Sequence, residues 1–87
     1  MNTELNIQLA ELQAERNVLS GGNLVESAQL HLADDALKAT TDLCEQARAA
    51  FTDDIRLAAE AAARAMLILA RKYLNAFYDL TDEKPAR

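Results

Sequence analysis

Leu30, Leu37, Cys44 and Phe51 recur every seven residues, with Ala33, Thr40 and Ala47 at the intermediate positions. Strand side chains alternate with a period of two, so this spacing is a helical seam. The repeat passes unbroken through Thr40-Thr41-Asp42 and predicts one continuous helix over about 24–51. Asn23 stands at its start as N-cap, and Glu26 follows at the capping-box spacing.

A second stripe follows at once. Ile55, Ala59, Ala62, Met66, Leu69, Tyr73, Ala76 or Phe77, and Leu80 keep helical spacing and predict a helix over about 53–80. Thr52 or Asp53 caps it, and Asp53 and Asp54 suit the positive end of the helix dipole. Each of these two helices is about 28 residues, about 42 Å at 1.5 Å per residue. The link at Phe51-Thr52-Asp53 is too short for anything but antiparallel neighbours, so a long hairpin is expected. One uninterrupted helix through Thr52 is the rival geometry.

A shorter helix is expected over about 3–19. Leu5, Leu9, Leu12 and Leu19 share one face, Arg16 interrupts that face, and Ile7 points away. Ser20-Gly21-Gly22 ends it, with glycine expected in the left-handed conformation that closes a helix. The fold class is therefore all-α, a hairpin preceded by an N-terminal helix. Residues 1–80 form a single helical domain, and 81–87 a polar tail ending near Pro85. Only two glycines and one proline occur in 87 residues, too few for a β-rich or loop-rich fold.

Eighteen of the residues are alanine, so each helix offers few large groups to a core. Leu57, Leu67, Ile68, Leu74 and Tyr78 lie off the stripe of the last helix, which is apolar on every side around 65–70. A helix apolar all round is expected to be buried all round. A chain this small buries only about 60–65% of its unfolded surface. Self-association as a helical bundle supplies the missing cover, and the pattern favours a homodimer over a monomer with the first helix folded into the hairpin groove. Leu30, Leu37, Phe51, Met66, Leu69, Tyr73 and Phe77 are the expected hydrophobic interface seam.

Net charge is −5, which argues against a nucleic-acid binder, although Arg71, Lys72 and nearby aromatics make one locally basic stretch. The balance is uneven. Residues 1–54 hold ten acids and three bases, net −7, and residues 55–87 hold four acids and six bases, net +2. Asp34, Asp35, Asp42 and Glu45 form an acidic face, and Arg56, Arg64 and Arg71 a basic one, so these are the expected specificity faces. An electrostatic seam between the two, within or between chains, is one expectation. Mimicry of a phosphate row, as in a small inhibitor that occupies a basic groove on a target protein, is the alternative. An arginine-lined anion site in a helical enzyme is a third reading, with no general base beside it.

Nothing else carries chemistry. His31 has carboxylates nearby but no second histidine, so no metal site is expected. Cys44 sits at a core position, about 20 Å along the helix from His31 and on another face, which excludes a dyad. No catalytic residue and no cofactor is expected. A single cysteine fits a reducing compartment. The N-terminus lacks a basic region followed by an apolar run, and the longest apolar run, Ala65 to Ala70, is far short of the roughly 20 residues of a membrane span. A cytoplasmic, non-enzymatic interaction module is the expected function: an adaptor, regulator or chaperone-like protein acting through helix-face burial.

Overall fold

The computed structural model describes residues 3–81, which form three helices: α1 Thr3–Asn17, α2 Leu24–Ala49 and α3 Asp53–Thr81. They run up, down and up, and the Cα envelope measures 45 × 25 × 15 Å. The long hairpin of α2 and α3 is the frame, and α1 lies along one of its two flat sides. The tail from 82 to 87 lies outside the described residues; Thr81, read as its first residue, is instead the last of α3.

Local chemistry fixes the ends. The Glu26 N–H donates to Asn23 Oδ1 at 2.9 Å, the predicted cap. The reciprocal bond runs from the Gly22 N–H to Glu26 Oε1 at 2.7 Å, one residue earlier than in a capping box. Neither glycine is left-handed. A Cβ on Gly21 would lie 2.5 Å from Ser27 Oγ and 2.7 Å from Ser27 N. Close approach, not backbone dihedral, is what requires glycine there.

α2 is continuous through Thr40-Thr41-Asp42, as the repeat predicts. It stops at Ala49, two residues short of the expected Phe51. Ala50 turns to φ −66°, ψ 137°, and its N–H donates to Ala47 O at 3.3 Å. Thr52 then caps α3, its Oγ1 accepting from the Ile55 N–H at 3.3 Å. α1 likewise ends at Asn17 rather than 19, although Leu19 still packs on the core.

The core is narrow and alanine-rich. α1 gives Leu5, Leu9 and Leu12; α2 gives Leu30, Ala33, Ala36, Leu37 and Thr40; α3 gives Ala63, Leu67, Ala70, Leu74, Phe77 and Tyr78. Thr40 is fully buried yet satisfied, because its hydroxyl donates to Ala36 O at 2.8 Å. Small side chains at 33, 36, 63 and 70 let the hairpin helices approach closely. On α3 the expected stripe is displaced. Leu67, Leu74 and Tyr78, read as off the seam, are buried, whereas Ile55 and Leu80 are exposed. The reason is α1. With one neighbour on each of two sides, α3 turns the middle of its apolar arc toward the angle between α1 and α2. Nor is the apolar stretch at 65–70 buried all round, since Ile68 is 71% exposed.

Candidate functional site

The expected seam residues separate into three groups. Leu30, Leu37 and Phe77 are in the interior of the chain's own core. Phe51 is 99% exposed at the hairpin turn, because the helix carrying its seven-residue phase ends before reaching it. Met66, Leu69 and Tyr73 stand half-buried on the flat side of the hairpin opposite α1. There they line a groove of about 180 Å³ with Leu32, Asp35 and Ala36 of α2.

That side is one continuous apolar face. On α3 it runs Ile55, Ala58, Ala62, Met66, Leu69, Tyr73, Ala76 and Leu80, at spacings of three or four. On α2 it runs Val25, Ala28, Leu32, Ala39 and Leu43 around the buried Ala36, with Gln46 the one polar side chain. All of these are exposed or half-exposed except Ala36. No charged residue falls within either row, although Asp35 borders the α2 row where it lines the groove. The stripe read from the sequence coincides with this row at Ile55, Ala62, Met66, Leu69, Tyr73, Ala76 and Leu80, which form the outer face rather than the hairpin seam, whereas its Ala59 and Phe77 are buried in the core.

The charged residues are sorted by α1. Arg71 Nη1 and Nη2 each donate to the Glu15 carboxylate at 2.8 Å, and the Tyr78 hydroxyl donates to the same group. Beside it, Arg16 Nη2 donates to Asp34 Oδ2 at 3.0 Å, Nε lies 2.8 Å from Asp34 Oδ1, and Nη1 donates to Leu19 O. The Glu15 hydrogen bond raises the Arg71 guanidinium further above its ordinary range against a smaller opposing effect of burial, so it stays charged. The expected seam between acidic and basic faces is therefore not formed within the chain. One acid of α2 and one base of α3 each pair with α1 instead. Arg56 pairs within its own helix, with Asp53 at 3.1 Å and Glu60 at 3.8 Å. Arg64 borders the groove between α1 and α3 with Ile68, and Asp42 and Glu45 are exposed on α2.

One polar site was not anticipated. Glu60 is only 6% exposed. It lines a cavity of about 140 Å³ near the hairpin turn with Cys44, Arg48, Arg56 and Asn6. Burial pushes the Cys44 thiol above its usual range; Arg48 opposes this and Glu60 adds to it. Glu60 precedes Arg64 and follows Arg56 by four residues, which reads in sequence as a solvated ladder, so its burial has no sequence signal. Glu15 and Tyr78 were missed as a pair because 63 residues separate them.

His31 is exposed, and no group of three His, Cys, Asp or Glu residues able to hold a metal ion occurs among the described residues. No helix among them is long and apolar enough to cross a membrane. No protein family, curated protein or solved structure matches this chain.

Proposed function

We propose that this protein is a small non-enzymatic interaction module that acts by burying the outer apolar face of its hairpin, and that it self-associates through that face. The observation that carries the reading is the absence of charge from two adjacent helical rows that run the length of α2 and α3. Exposed apolar patches of this extent mark association surfaces in soluble proteins. The size also fits. A face about 40 Å long and two helices wide, at 8–10 Å between axes, covers roughly 700–800 Å². One side of a standard stable interface covers about 800 Å². The narrow alanine core gives the isolated chain modest stability, which burial of this face augments.

The cavity near the hairpin turn holds Glu60 and Cys44 beside two arginines. Its cations are arginines, which do not give up a proton at ordinary pH and are poor general acids or bases.

Leu69→Glu tests the reading. It places a charge at the centre of the outer face without touching the α1 side. Sedimentation should show the wild-type chain associated and the variant monomeric, with helical circular dichroism unchanged. A wild-type chain that stays monomeric, or a variant that associates as before, overturns it.

A further inference from the structure

We propose that two copies meet with their two-fold axis parallel to the hairpin, so that α2 of each protomer lies antiparallel over α3 of its partner. This rests on the self-association reading and specifies its geometry. Two hairpin faces can be stacked lengthwise by only two kinds of two-fold axis. An axis along the hairpin sets α2 over the partner's α3. An axis across it sets α2 over the partner's α2, and α3 over the partner's α3. Both bury the same apolar area, so apolar contact does not choose between them. The charges at the edges do.

By helical register, the outer edge of α2 carries Asp35 and Asp42, both exposed and without an ion pair among the described residues. The outer edge of α3 is alanine at 58, 65 and 76, with the exposed Lys72 between the last two and the acids Asp54 and Asp79 only toward its two ends. Stacking α2 on the partner's α2 brings the two acidic edges together. Stacking α2 on the partner's α3 brings each acidic edge against the alanine edge and its lysine. The level matches as well. Leu32 and Asp35 line the same groove as Tyr73. An axis parallel to the hairpin keeps each residue at its own height, so Lys72 arrives within about one helical turn, 5.4 Å, of the partner's Asp35. A lysine side chain spans that gap. Opposite charges at a rim set orientation more than they add affinity, and like charges there exclude the competing arrangement.

Charge swaps at this pair are the test, read as the dimer dissociation constant by sedimentation equilibrium at low salt. Both residues are exposed, so the fold survives each change, with circular dichroism as the check. Each dimer holds two copies of the pair. Lys72→Glu alone and Asp35→Lys alone should each weaken dimerisation by roughly tenfold. The two together should restore it to within about twofold. If Asp35→Lys tightens the dimer and Lys72→Glu leaves it unchanged, α2 faces α2 and the arrangement is wrong, while self-association stands. If neither single change moves the constant, the arrangement is likewise overturned. A wild-type chain with no measurable dimer removes the underlying reading as well.

Discussion

Glu15 and Arg71 join α1 to α3 through two parallel hydrogen bonds of 2.8 Å, and the next residue, Arg16, joins α1 to α2 through Asp34. Consecutive helical residues point about 100° apart at 3.6 residues per turn. Two adjacent residues of opposite charge therefore reach two different neighbours. With only Leu5, Leu9 and Leu12 buried on α1, these pairs hold its C-terminal end in place. Glu15→Gln should cost about 1–2 kcal/mol in urea unfolding, since both partners are partly exposed. Tyr78→Phe should cost about 1 kcal/mol. The Glu15 and Arg71 changes should be strongly non-additive in a double-mutant cycle. Additive costs would mean that the pair contributes nothing as a pair.

The two phenylalanines should behave oppositely. Phe77 is fully buried in the core, and Phe77→Ala should cost about 3–5 kcal/mol. Phe51 is exposed at the turn, and Phe51→Ser should stay within about 0.5 kcal/mol of wild type. Thermal or urea unfolding of both variants checks this contrast. A large loss on Phe51→Ser would place that ring in a contact the monomer lacks.

These cases show what the sequence discloses and what it withholds. The Asn23 cap, the continuity of α2 and the antiparallel hairpin are local or periodic features, and they are legible because one residue type at one spacing has one physical meaning. Phe51 is misread because a seven-residue count continues past the point where the backbone leaves the helix. The burial of α3 is misread for another reason. It carries two apolar rows side by side, one through Ala63, Leu67, Ala70 and Leu74 and one through Ala62, Met66, Leu69 and Tyr73. Alanines around 58–65 blur the boundary between them. Which row turns inward depends on where α1 docks, and α1 is placed partly by Glu15 and Arg71, 56 residues apart. The expected specificity residues are affected in the same way: Asp34 and Arg71 hold α1, while Asp35 and Asp42 remain at the free edge.

Cys44 offers a readout of the polar cavity. Burial and the Glu60 carboxylate both hold its thiol above the ordinary value of 9.0. The thiolate is the reactive form, so alkylation near pH 8 should be slow, and its rise with pH should continue past the usual thiol range before it levels off. Glu60→Gln removes one of the two raising effects. The thiol should then titrate at lower pH, and alkylation at fixed pH should quicken. An unchanged rate would mean that the carboxylate does not act on the sulfur.

Gly21 and Gly22 should differ despite being neighbours. A Cβ at Gly21 meets backbone atoms of Ser27 at 2.7 and 2.9 Å, whereas one at Gly22 meets only the flexible Glu26 carboxylate at 3.1 Å. Gly21→Ala should destabilise by about 1–3 kcal/mol, through a forced shift of the α2 start. Gly22→Ala should cost less than about 1 kcal/mol. Equal costs by urea unfolding would rule out close approach as the reason for glycine at 21.

On the self-association reading, a second copy of the chain covers the apolar outer face of the hairpin. Light scattering of the purified protein after size exclusion, over a wide concentration range, tests it most directly. The expected mass is about 19 kDa, twice the 9.5 kDa chain, giving way to 9.5 kDa only on strong dilution. A mass of 9.5 kDa at every concentration, with a cooperative melt, would contradict it.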